Sequence, residues 1–243
     1  VRVADRRPAT AVYVAIGFSG LTALGAQVVW TRLLTLLFGA TVYAFAIILG
    51  VFLAALGAGS ALAAYWIRRG RNAFLGLAWT QVLLVPGLLL AAYLLARVLP
   101  YASPPAITPV RSLHMLHLVR AFVVIFPAAL LWGMSFPFAL AAIGSTGGDT
   151  GRSSGYVYAA NTIGAIAGAL AVSFWAIPTF GTRWAEQALV VLAAVSAAVM
   201  FFALQRFSDA RGAPRRDAVT LSPAWALALG AFAAEMLPRL STA

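Results

Sequence analysis

The sequence predicts an all-α fold, a polytopic transmembrane helix bundle of six spans followed by a shorter seventh element. Three observations lead there. Hydrophobic residues make up 63% of the 243 and charged residues only 9%, with a mean hydropathy of +0.93. A soluble domain carries about 25% charged residues, so this chain lacks the polar groups to cover a globule. The apolar runs are about 20 residues long, the length of a bilayer-crossing helix, whereas barrel strands are about 10 residues and alternate. Polar breaks rich in Gly, Pro and Arg separate the runs.

The first span is expected from about Ala11 to Trp30, or to Phe38 if the helix continues past Arg32. The second covers about Val42 to Trp66 and the third about Phe74 to Leu99. "YASPPAITP" (Tyr101 to Pro109) then forms a proline-stiffened loop. The fourth span runs from about His117 to Ile143, and "GSTGGDTGRSSG" (Gly144 to Gly155) reads as a flexible linker. The fifth and sixth follow at about Tyr156 to Ile177 and Ala185 to Leu204. "SDARGAPRRDA" (Ser208 to Ala218) is a polar break before the last apolar stretch, about Ala224 to Leu237. That stretch is short for a hydrocarbon core of about 30 Å and fits either a truncated span or an interfacial helix. By domain, residues 1–9 are an N-terminal segment, 10–205 the six-helix block, 206–219 a linker and 220–243 the seventh helix.

Arginine placement gives the expected orientation. Every basic residue is arginine. With the N-terminus cytoplasmic, eleven arginines lie inside: Arg2, Arg6, Arg7, Arg68, Arg69, Arg71, Arg152, Arg206, Arg211, Arg215 and Arg216. Five lie outside (Arg32, Arg97, Arg111, Arg183, Arg239), and Arg120 falls within a span. Positive charge favours the cytoplasmic side, so the N-terminal segment and the 206–219 linker are both read as cytoplasmic. The same rule accounts for the net charge of +11 without nucleic acid.

Amide and charged groups at membrane depth are costly and default to functional candidates. Four qualify: Gln27, Gln81, Arg120 and Asn161. Each has a plainer alternative. The amides can bond a neighbouring helix, and Arg120, three residues after His117, can snorkel to the outer interface. Trp30 and Arg32 are read as interfacial anchors, with Gln27 about one turn deeper. Gly164 and Gly168, one turn apart, and Gly57 are read as sites of close helix packing, which leaves a substrate pathway as the lesser alternative.

Several chemistries are excluded. With no cysteine there is no thiolate nucleophile or cysteine-ligated metal, and two histidines are too few for an all-histidine metal site. No cofactor is expected. The acids Asp5, Asp149, Glu186, Asp209 and Asp217 fall in loops or at a helix edge. Glu235 lies near the end of the last stretch, so no carboxylate is expected at mid-membrane. "GAGSALA" (Gly57 to Ala63) lies inside a hydrophobic helix with no preceding strand, so it is not a nucleotide-binding loop.

The segments "GFSGLTALGAQVVWTRLLTLLFGATVYAFAIILGVFLAALGAGSALAA" (Gly17 to Ala64), "LLWGMSFPFAL" (Leu130 to Leu140) and "GYVYAANTIGAIAGALAVSFWAIPTFGTR" (Gly155 to Arg183) resemble, in order, the bacterial membrane-integrated spermidine synthase-like proteins. The resemblance covers most of residues 15–185. It implies a transporter-like membrane region to which a soluble Rossmann-like aminopropyltransferase domain is usually joined, and no such domain is expected within these 243 residues. Where family members often carry an acid before "VVWTR", this chain has Gln27, an amide that cannot take up a proton. The six-span block also resembles half of a major facilitator transporter, although "RRGRN" (Arg68 to Asn72) lacks the aspartate of that superfamily's signature.

The expected function is therefore a non-catalytic membrane domain of a spermidine synthase-like protein in the bacterial inner membrane, an anchor or docking subunit. Its partners are the lipid bilayer and either another protein or further copies of itself. The alternative is a half-transporter that oligomerises to move a small-molecule ligand, with a polyamine as the candidate cargo.

Overall fold

The computed structural model describes residues 6–101, 109–144 and 150–210. The expected seventh helix and most of the 206–219 linker lie outside them. All regular structure among the described residues is helical: α1 (Arg6–Phe38), α2 (Val42–Arg68), α3 (Ala73–Tyr93), α4 (Val110–Gly144), α5 (Thr150–Ala171) and α6 (Ile177–Ala210). A π-helical turn (Leu94–Val98) and a 3-10 turn (Leu99–Tyr101) extend α3, and a second π-turn (Val172–Ala176) joins α5 to α6.

Among the described residues, five helical runs are long and apolar enough to cross a membrane, which makes this a multi-pass membrane protein. The fifth, Gly151–Arg206, is 56 residues long, about 84 Å at 1.5 Å per residue. It does not run straight. Gly181 breaks it with φ 85° and ψ 171°, a conformation that glycine adopts without strain. Positive-φ glycines also stand at the α1–α2 and α2–α3 reversals, Gly39 and Gly70. Beyond Gly181 the chain doubles back, so that Gly168 and Leu189 both face Gly25 of α1.

Several boundaries differ from expectation. α1 takes the longer alternative, to Phe38. α4 begins at Val110, about two turns before His117. α5 begins at Thr150, so half of the stretch expected as a flexible linker is helix. α6 begins at Ile177 and continues to Ala210, into the expected linker. Helical hydrogen bonding persists past the apolar run because chain ends of a helix can sit in polar surroundings, where charge does not oppose it.

Glycine sets the two tightest helix pairs. α1 and α5 run parallel: a methyl group on Gly164 would overlap the Gly17 carbonyl, and one on Gly168 the Leu21 carbonyl. α2 and α4 also run parallel, with Gly59 against the Leu130 carbonyl and Gly133 against the Leu56 carbonyl. Without a hydrophobic driving force between helices in lipid, such backbone approach supplies the association energy. Gly57 is a correction. It is exposed, with nothing within 4 Å of its Cβ position, and Gly59 makes the contact. Two residues further along a helix is about 200° around it, so the choice between them depends on which face meets α4.

One proline inside a helix, Pro137 of α4, has compensation from a neighbouring helix. Pro137 has no N–H to bond the Gly133 carbonyl one turn earlier. Ser60 of α2 donates to that carbonyl at 2.9 Å. At the far end of α1, His117 is buried and stacked on Phe38, ring centroids 4.3 Å apart and nearly parallel at 11°.

Replacing Gly164 or Gly168 by Leu should lower the melting temperature in detergent sharply, since overpacking costs about 1–3 kcal/mol even where neighbours can shift and here the neighbour is backbone. Gly57→Leu should leave it unchanged or higher. Equal losses at all three positions, measured by scanning fluorimetry, would contradict this packing.

Candidate functional site

Polar side chains in the bundle collect at two levels. The deeper one centres on Gln81 of α3, which is 1% exposed. Its Nε2 donates to Ser19 Oγ of α1 at 3.3 Å and to Ser135 Oγ of α4 at 3.2 Å. Its Oε1 accepts from Ser196 Oγ of α6 at 2.8 Å. A primary amide has two N–H donors and one carbonyl oxygen, so both donors and the acceptor are engaged, on three different helices. Around it, Ser135 Oγ lies 3.2 Å from Thr80 Oγ1, and Trp132 Nε1 donates to Thr22 Oγ1 at 3.1 Å. Thr22 and Ser135 also approach the carbonyls of Phe18 and Leu131, one turn earlier in their own helices.

This layer gives structural work to the motifs that stood out in the sequence. "GMSFP" contributes Gly133 to the α2 contact, Ser135 to the Gln81 layer and Pro137 to the carbonyl that Ser60 caps. Trp132, just before it, packs on Trp30 with ring centroids 5.6 Å apart. Trp30 is consequently 2% exposed and sits in the core. The expectation of a headgroup anchor is corrected: α1 continues two turns beyond it, and its ring turns inward to Trp132. Arg32, two residues on and therefore on the opposite face of the helix, is exposed.

The second level is formed by α1 and α6. α1 and α3 each run antiparallel to α4, as the Thr22–Trp132 and Gln81–Ser135 bonds and the Phe38–His117 and Gly87–Ala128 contacts require. α6 runs antiparallel to α3, with Ser196 at Gln81 and Val190 to Arg183 alongside Leu89 to Ala96. α1 and α6 are therefore antiparallel. With Gly25 against Leu189, Gln27 and Glu186 fall at about the same depth. Each has a buried Oε1 with no hydrogen-bond partner among the described residues. Glu186 also lines a small cavity of about 20 Å³ with Leu89, Ala92 and Ala96 of α3 and Arg183, Gln187 and Val190 of α6, room for about one water. The sequence places Glu186 at a helix edge, and the structure agrees: it stands little more than one turn after the Gly181 break, yet its Oε1 is buried there.

The remaining candidates are not brought into either cluster, although Asn161 lies near the depth of Ser19. Asn161 is half-buried on α5 and packs by its backbone and Oδ1 against Gly20 of α1. Arg120 is half-buried on α4, one turn beyond His117. The structure thus joins Gln81 to serines that were not singled out, and it does not bring Gln27, Arg120 and Asn161 together. No group of three or more His, Cys, Asp or Glu that could hold a metal occurs among the described residues. Ser19, Ser135 and Ser196 carried a faint signal, hydroxyls in otherwise apolar helices, but a serine can bond its own helix at any position.

Gln81→Leu would leave three hydroxyls without their shared partner. Intramembrane hydrogen bonds average about 0.6 kcal/mol each, so the three together predict a loss of about 2 kcal/mol. Thermal unfolding should show it, and a Gln81→Leu protein as stable as wild type would remove Gln81 from its central place. Comparison with protein-family models, with curated proteins and with solved structures finds no match to this chain.

Proposed function

We propose that the chain is the non-catalytic membrane domain of a spermidine synthase-like assembly in a bacterial inner membrane, where it anchors or docks a soluble aminopropyltransferase. The observation that carries this reading is the saturation of Gln81 by Ser19, Ser135 and Ser196. The most buried amide of the bundle is committed to holding helices in register, as a scaffold requires, and offers no spare atom to a cargo. The motif resemblance supplies the family part of the proposal.

The topology that accompanies it has six crossings, with the helical stretches before and after Gly181 counted separately, and a cytoplasmic N-terminus. Arginine asymmetry supports this orientation. The chain has no cysteine, so single cysteines report cleanly. A membrane-impermeant maleimide added to intact cells should label Arg111→Cys and spare Arg69→Cys; the reverse pattern would invert the topology.

The second reading, a half-transporter, is favoured by Gln27 and Glu186, whose buried acceptor oxygens could receive a donor-rich cargo such as a protonated amine. Uptake of labelled putrescine or spermidine into proteoliposomes distinguishes the two. The anchor reading expects uptake no faster than into protein-free vesicles. Uptake above that level, abolished by Glu186→Gln, would replace it with transport. Cross-linking in native membranes should in turn recover an aminopropyltransferase domain, fused or associated.

A further inference from the structure

α2 and α4 are pinned together by glycine, and a groove runs between them towards their N-termini. Gly59 and Gly133 bring the backbones into contact near Leu130 and Leu56. Towards their N-termini the helices leave a groove of about 580 Å³, within the range of ligand-sized pockets. Its α2 wall is Tyr43 to Ala54, with small residues such as Ala46 and Gly50; its α4 wall runs from His114 to Phe126.

We infer that this groove holds one anionic glycerophospholipid, with an acyl chain along α2 and α4 and the headgroup at Arg111 and His114. Length is the first argument. Tyr43 to Ala54 spans eleven residues of rise, about 16 Å, or half of a hydrocarbon core of about 30 Å. The groove is thus one leaflet deep, the reach of a single acyl chain. Polarity is the second. The walls are apolar except at one end, where Tyr43 and His114 meet with ring centroids 5.5 Å apart. Tyrosine is enriched at the headgroup level.

Charge is the third argument. Arg111 stands one turn before His114, in the first turn of α4, where the amides of a helix start favour an anion. Neither wall helix carries an acidic residue, so nothing on them competes with a phosphate for the guanidinium. A zwitterionic lipid would bring a cationic choline to the same place. The surface therefore selects for a net negative headgroup, at the membrane face where α2 and α4 begin.

Delipidated protein in detergent, titrated with dioleoylphosphatidylglycerol or dioleoylphosphatidylcholine and examined by native mass spectrometry, tests this. Wild type should bind one phosphatidylglycerol per chain about tenfold more tightly than phosphatidylcholine. Gly50→Phe fills mid-groove without touching the core, since nothing lies within 4 Å of its Cβ position. It should weaken both lipids about tenfold, and Ala46→Leu should act likewise if Gly50→Phe lowers the melting temperature. The Arg111→Gln, His114→Gln double variant should keep lipid binding and lose the preference. Equal affinity for the two lipids, or unchanged binding in the groove-filling variants, overturns the proposal. So does displacement by glycerol phosphate alone, which would indicate a plain anion site, or a wild-type dimer that Gly50→Phe dissociates, which would make the groove an interface between copies.

Discussion

One buried amide organises the bundle. In lipid, apolar side chains gain little by leaving their surroundings for one another, so helix positions must be fixed by close packing and by hydrogen bonds that have no alternative partner. Gln81 provides three such bonds to α1, α4 and α6. Leaving a buried amide without partners would cost about 2–7 kcal/mol depending on the reference state, at least as much as the bonds contribute when made. The arrangement is therefore selective rather than strong: a register in which α1, α4 or α6 slides by a turn strands the amide.

Glycine and proline complete what Gln81 begins. The glycine contacts allow α1 to lie on α5 and α2 on α4 at backbone distance, and each parallel pair contributes one helix, α1 or α4, to the meeting at Gln81. Proline within α4 frees a carbonyl that Ser60 of the neighbouring helix takes up, so an intrahelical defect becomes an interhelical bond. Towards the N-termini of the same pair, a groove lies between Tyr43 to Ala54 of α2 and His114 to Phe126 of α4.

The two polar levels differ in kind. At Gln81 every acceptor and donor of the amide is engaged within the chain, and such a layer resists change. At Gln27 and Glu186 the buried oxygens lack partners among the described residues. Saturated polar groups at membrane depth stabilise one conformation; unsatisfied ones favour whatever donor can reach them. Residue identity does not carry that contrast, since a glutamine stands at each level.

Much of the fold was legible in sequence because the bilayer imposes a length and a polarity on any helix that crosses it. The apolar runs, the breaks between them and the candidacy of Gln81, Gly164 and Gly168 follow from those constraints alone. Helix ends were less legible, because hydrogen bonding carries α1, α4, α5 and α6 past the point where hydropathy falls. What only the tertiary structure decided is which way each side chain turns. A hydrophobic helix in lipid has no polar face to betray its buried one, so the sequence could not tell Gly57 from Gly59, place Trp30 on Trp132, or choose Ser19, Ser135 and Ser196 from the other hydroxyls. Those assignments exist only once the helices are packed, because they are properties of pairs of helices and not of any one of them.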